Sequence, residues 1–187
     1  MTLRYHFLQS ATAILGLPML VFLLAFESHG AKAAEDLPLN TAPSKLSWIG
    51  SAQPLAKDAT LVFEREFQLA NAPVVVRIKL MSSAPCTVTL NGESVGEHSD
   101  VKWPKVFEFK KQAVKGVNKL RLETKSSGGA DSLVMSMLVA DMDGTRRRLE
   151  TDGAWSVVVN GKAEPAKVLH DYTLHHRAMF LCGCVPP

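Results

Sequence analysis

Polar and apolar residues alternate along much of the chain with a period of two, the spacing of a strand that buries one face. The pattern is clearest over residues 61–69. Leu61, Phe63, Phe67 and Leu69 fall on one face, and Val62, Glu64, Glu66 and Gln68 on the other. Arg65 interrupts the apolar face and predicts an edge position or a paired charge. Residues 74–81 are apolar or β-branched at most positions, and Thr87-Val88-Thr89-Leu90 runs into Asn91-Gly92. Asn-Gly between strand-like runs predicts a hairpin, because a type I′ turn needs positive φ at both central positions. The return strand is expected over 93–95, ended by Gly96. After a surface loop over 97–104, Val106, Phe107 and Phe109 predict another strand. Leu120, Leu122 and Thr124, alternating with Arg121 and Glu123, predict the next. Residues 126–131 read as a flexible loop. Residues 133–142 are apolar on both faces, which fits a strand covered on each side. Asp143-Gly144 turns the chain and 145–151 returns. A last short strand is expected over 155–159, closed by Asn160-Gly161.

Helical spacing is confined to a single turn near 110–114. Seven or eight short strands with turn signals every ~8–12 residues predict an all-β sandwich or barrel. The two-sided apolarity of 133–142 favours two packed antiparallel sheets.

Composition adds bounds. A chain of 187 residues has room for one domain, and 47% hydrophobic with 21% charged residues is ordinary for a globular protein. The formal charge is only +3, and the basic residues are scattered among acidic ones. This argues against a nucleic-acid partner, which needs a concentrated basic face. Arg146-Arg147-Arg148 is the one dense run, and its side chains alternate faces on a strand, which fits an edge protected by charge.

The N-terminus carries a targeting pattern. Arg4 supplies a positive start, residues 11–26 run apolar without a charge, and Ala31-Lys32-Ala33 places small residues at −3 and −1 of a cleavage site before Ala34. Together these predict a secretory signal-peptide helix. An uncleaved anchor competes, but the run is shorter than the ~20 residues a spanning helix needs, and Pro18 would kink it. No second run reaches spanning length, so no stable membrane span is expected after cleavage. The expected organisation is a signal peptide over 1–33, a linker over 34–57 anchored by Trp48-Ile49, a β-sandwich over 58–169 and a poorly ordered tail over 170–187. The expected location is secreted or periplasmic. Cys86, Cys182 and Cys184 remain in the mature chain, an odd count that leaves a thiol over. Cys86, among apolar and β-branched neighbours, predicts a small buried hydrophobe. For Cys182-Gly183-Cys184, chance, a strained local disulfide and a metal role all stay open.

Several motifs resemble the galactose-binding-like jelly-roll domains of α-L-rhamnosidases and the sugar-binding domain of family 2 glycosidases. They are Trp48-Ile49, then Phe63-Glu64-Arg65-Glu66-Phe67, and the hairpin Leu90-Asn91-Gly92-Glu93-Ser94-Val95-Gly96-Glu97-His98. Val106-Phe107-Glu108-Phe109, Gly116-Val117-Asn118-Lys119-Leu120, Asp143-Gly144, Thr151-Asp152, Trp155 and 165–169 follow in the family's order. The resemblance covers roughly 48–169. Lys110-Lys111-Gln112 departs from the family's Asp-Val-Thr, and the catalytic domain that normally adjoins the module is not present in the sequence. The resemblance implies a jelly roll with a glycan or cell-envelope component as partner. Such jelly rolls often hold a structural calcium. Here Asp141-Met142-Asp143-Gly144 lacks the downstream glutamate of a calcium loop, and a hairpin turn explains it, so no cofactor is expected.

The loop over 96–104 is the candidate ligand contact. Sugars stack an apolar face on an aromatic ring while polar groups bond their hydroxyls, and His98, Asp100 and Trp103 offer that mixture. The competing reading folds Trp103 back as a lid on the sandwich end. Trp48 and Trp155 are expected in packing roles. Glu64 and Glu66 lie on the outward face of one expected strand, where their two-residue spacing would suit a retaining glycosidase pair only if a cleft covered them. His170, Asp171, His175 and His176 match no recognised zinc spacing. No nucleophile-elbow, zinc-protease or phosphate-loop motif occurs. The expectation is a non-catalytic carbohydrate-binding or interaction module; the alternative is an accessory fragment of a secreted, α-L-rhamnosidase-like glycoside hydrolase.

Overall fold

A computed structural model describes residues 34–42 and 44–171. The expected signal peptide over 1–33, with His175, His176, Cys182 and Cys184 of the tail, lies outside the described residues. In chain order the strands are β1 (Glu35–Asp36), β2 (Ser47–Gly50), β3 (Thr60–Leu69), β4 (Val75–Ser82), β5 (Cys86–Leu90), β6 (Glu93–His98) and β7 (Lys105–Phe109). They continue with β8 (Gly116–Lys125), β9 (Ser132–Ala140), β10 (Arg146–Glu150), β11 (Ser156–Val159), β12 (Lys162–Pro165) and β13 (Lys167–Asp171). No helix occurs among the described residues, and none is long and apolar enough there to cross a membrane.

Two sheets face each other. One has the order β12-β11-β3-β8-β5-β6 with β1 beside β3; the other has β13-β2-β9-β4-β7 with β10 beside β9. All described pairings are antiparallel except β1 on β3. The alternation of β3 sends Leu61, Phe63, Phe67 and Leu69 into the space between the sheets. Ile78, Leu80, Leu122, Met135, Met137 and Trp155 meet them in one core cluster. Trp155 satisfies its indole N–H inside that core by donating to Glu150 O at 2.9 Å, as a buried tryptophan must.

Arg65 is the paired charge that its position predicted. It lies on the row between Phe63 and Phe67, opposite the stretch of β3 left between β11, which pairs with residues 61–64, and β1, which pairs with 67–68. Its guanidinium donates to Ala154 O and to Glu35 at 2.8 Å. β9 is covered on both sides, as its apolarity predicted. Leu133, Met135, Met137 and Val139 face the main core, while Val134 and Leu46 form a second cluster against which Trp48 and Met81 pack. Asn91-Gly92 (φ +54° and +83°) and Asn160-Gly161 (+51° and +78°) carry the paired positive φ of type I′ turns.

Four features differ from the sequence expectation. The stretch expected as a linker over 34–57 supplies β1 and β2, and its Leu37 and Leu46 are buried. The turn near 110–114 is not helical and closes with Ala113 N donating to Lys110 O. Asn160-Gly161 leads into β12, and β13 runs past the expected end of the sandwich at 169, so His170 of the expected tail belongs to a strand. The strand expected to end at Gly96 continues to His98. There a bulge, where Val88 pairs with Gly96 and Thr89 with Ser94, leaves Val95 without a partner.

Candidate functional site

Register gathers several loops at one end of the sandwich. Cys86 stands beside both His98 and Thr124, Lys105 beside Leu80, Thr60 beside Lys125, and Gly50 beside Ser132. The connections over 51–59, 83–85, 99–104 and 126–131 therefore share this end. The 99–104 loop links β6, an edge of the first sheet, to β7, an edge of the second.

The three residues singled out in the sequence take different positions in that loop. Trp103 is 51% exposed, and no hydrogen bond occupies its indole N–H among the described residues. Asp100 is exposed, and its Oδ1 accepts from the Lys102 amide at 3.0 Å, an Asx-type turn. The Trp103 amide completes the turn by donating to Asp100 O at 3.4 Å. Asp100 Oδ2 is left with no partner among the described residues. His98 is 0% exposed. Its Nε2 lies 2.9 Å from Trp103 O, and its Nδ1 has no partner. The loop thus presents an indole face and a carboxylate to solvent, while the imidazole sits beneath them.

The burial of His98 has a legible cause. The bulge at Val95 shifts the alternation by one residue, so Gly96 and His98 fall opposite Val88 and Cys86, both fully inward. The strand phase of Val88 and Cys86 was the available signal; reading Gly96 as a strand end concealed it. Gly96 does not stop the strand but makes room for the core, since a Cβ there would lie 2.8 Å from Phe107 Cε1.

Other candidate groups are committed elsewhere. Glu64 holds Lys119 at 2.8 Å and Arg121 at 3.0 Å on the outward face of the first sheet, and Glu66 beside it is exposed. Cys86 and His98 stand opposite each other, but burial, with Glu123 nearby, pushes the Cys86 thiol up to about 12. The sulfur is thus a protonated core group, not a thiolate. Asp143 Oδ1 accepts from the Thr145 amide at 2.8 Å, and that bond, with Thr145's hydroxyl, holds its carboxyl below the usual range. This is a hairpin turn, as predicted. Among the described residues no three His, Cys, Asp or Glu side chains converge as metal ligands.

These features define an all-β sandwich of two facing, mainly antiparallel sheets. Solved structures of similar fold include a lectin and a glycoside hydrolase. A lectin from Pleurotus ostreatus matches at TM-score 0.61 and 15% identity, covering 74% of this chain and 45% of the lectin. The Pleurotus ostreatus lectin in complex with GalNAc matches at TM-score 0.62 and 16% identity, with the same coverage. The α-L-rhamnosidase of Streptomyces avermitilis, complexed with L-rhamnose, matches at TM-score 0.59 and 17% identity, covering 70% of this chain and 15% of the enzyme. The chain thus spans less than half the length of each of these proteins. At such identities the likeness is one of fold. No protein-family model matches the sequence, and no curated protein matches it.

Proposed function

We propose that this chain is an exported, non-catalytic carbohydrate-binding module with a galactose-binding-like jelly-roll scaffold, and that the 99–104 loop makes the contact. One observation carries the reading. A half-exposed indole and a carboxylate with a free oxygen stand together on a braced loop at the end of a sandwich. An exposed ring fits the apolar face of a sugar, Asp100 Oδ2 can accept from a hydroxyl, and the indole N–H can donate. A shared fold with a lectin that binds GalNAc supports the scaffold half of the reading. Export rests on the N-terminal pattern of the sequence and implies a secreted or periplasmic location.

The non-catalytic half rests on the state of the carboxylates. A glycosidase needs two carboxyls across a cleft, one of them protonated. Glu64 is instead held by two cations on an open sheet face. The test is a glycan array probed with the mature domain, alongside aryl-glycoside hydrolysis assays. Binding without turnover is expected. Turnover lost on Glu64→Gln or Glu66→Gln would overturn the non-enzyme reading.

A second reading is favoured by one finding: the fold also matches a 15% stretch of a rhamnosidase chain. On that reading the chain is the accessory part of a larger glycoside hydrolase. Coding sequence immediately downstream that continues into a catalytic domain, in frame or after a frameshift, would select it.

A further inference from the structure

We propose that His98 is the positioning residue of the 99–104 loop, and that its buried imidazole sets the angle at which Trp103 and Asp100 face solvent. The consequence for ligand affinity rests on the proposed function above; the consequence for loop geometry does not.

The bond places a proton on Nε2. A carbonyl oxygen only accepts, so the contact to Trp103 O requires the proton on Nε2. Nδ1 is buried without a partner, so the bond from Nε2 to this loop is the ring's one hydrogen bond among the described residues. The donor is rigidly placed, because His98 closes β6 opposite Cys86 and is fully enclosed. The acceptor is the carbonyl of the residue that carries the exposed indole. Between them, the Asp100 carboxylate and carbonyl take the Lys102 and Trp103 amides and fold the loop into a turn. The turn shapes the loop internally; His98 is what fastens its Trp103 end to the sandwich. Lys105, one residue beyond Pro104, reaches back to Glu97 O, but its flexible stem sets no angle for the ring.

Two variants separate positioning from packing. His98→Gln places an amide donor near the original Nε2, whereas His98→Leu fills a similar apolar volume without a donor. Trypsin cleavage after Lys102 and the Trp103 indole N–H resonance report the loop. Retention on GalNAc-agarose and on L-rhamnosyl-agarose reports binding. The expected result is faster cleavage and a shifted resonance for His98→Leu, with near wild-type behaviour restored in His98→Gln. On whichever resin retains the wild type, His98→Leu is expected to bind about three- to tenfold more weakly, the range of one hydrogen bond. Equal cleavage and an unmoved resonance in a folded His98→Leu overturn the proposal, as does failure of His98→Gln to restore either. If neither resin retains the wild type, or if Trp103→Ala binds like the wild type, the glycan reading fails while the loop measurements still decide the role of His98.

Discussion

Gly92 and Gly96 lie four residues apart in one hairpin, both at positive φ, and Gly96 alone is also required for space. Gly92 sits at φ +83° with open space around its Cα, so a substitution there meets only backbone strain. Gly92→Val should lower stability by about 1–2 kcal/mol, since a β-branched residue resists positive φ, and thermal melting checks it. A Cβ at Gly96 would meet the Phe107 ring at 2.8 and 2.9 Å. With Gly96 itself at φ +154°, Gly96→Ala should therefore cost more than Gly92→Ala, and the reverse order would mean that the ring can move aside. Cys86 makes a prediction of another kind. Its thiol is raised from 9.0 to about 12 in the folded chain. Above pH 9 the unfolded chain releases this proton while the folded one keeps it, so stability falls as pH rises from about 9 towards 12. The slope approaches about 1.4 kcal/mol per pH unit for this one group. Denaturation of wild type and Cys86→Ala at pH 8 and pH 10.5 should show the wild type losing more across the interval.

At the scale of elements, the N-terminal stretch holds the sandwich along one side. β1 pairs with β3 while Leu37 enters the core. Pro38 O and the Asn40 amide then pair with Arg148 N and Arg146 O, both at 2.9 Å, along the outer edge of β10. The arginine run serves this strap. Arg147 donates to Leu37 O at 3.3 Å and Arg148 to Ala42 O at 2.6 Å. Glu150 fixes its far end by accepting from Ser44 Oγ at 2.9 Å and from the Lys45 amide at 2.8 Å. Pairing, as well as charge, therefore protects the β10 edge. Glu150→Ala should cost about 1–2 kcal/mol, because it removes a charged acceptor shared by Ser44, the Lys45 amide and Arg148. Amide exchange at Asn40 and Arg148 should quicken in the variant; unchanged exchange there would show that the strap does not depend on Glu150.

At the scale of the whole molecule, the fold was largely legible because burial writes itself into period 2. The rows Leu61, Phe63, Phe67, Leu69 and Leu133, Met135, Met137, Val139 both face the core between the two sheets. What escaped notice was short or local. β1, β2, β12 and β13 have two to five residues each, too few to show a period. They are strands because longer neighbours offer them an edge, a tertiary fact with no local signature. The candidate site was half legible. The loop followed from composition, but the sequence left open whether Trp103 faced solvent or folded back as a lid, and the ring is 51% exposed. The burial of His98 depended on a one-residue bulge, which reverses every side chain after it.

The central claim is that an exposed Trp103 carries glycan contact on a scaffold that does no chemistry. The most direct test is a pair of measurements on Trp103→Ala: affinity for the strongest array glycan by calorimetric titration, and melting temperature. Loss of a stacking ring worth about 1 kcal/mol predicts roughly fivefold weaker binding. The melting temperature should stay close to wild type, because the ring is 51% exposed. Unchanged affinity together with a large fall in melting temperature would contradict the account and make Trp103 a lid on the core.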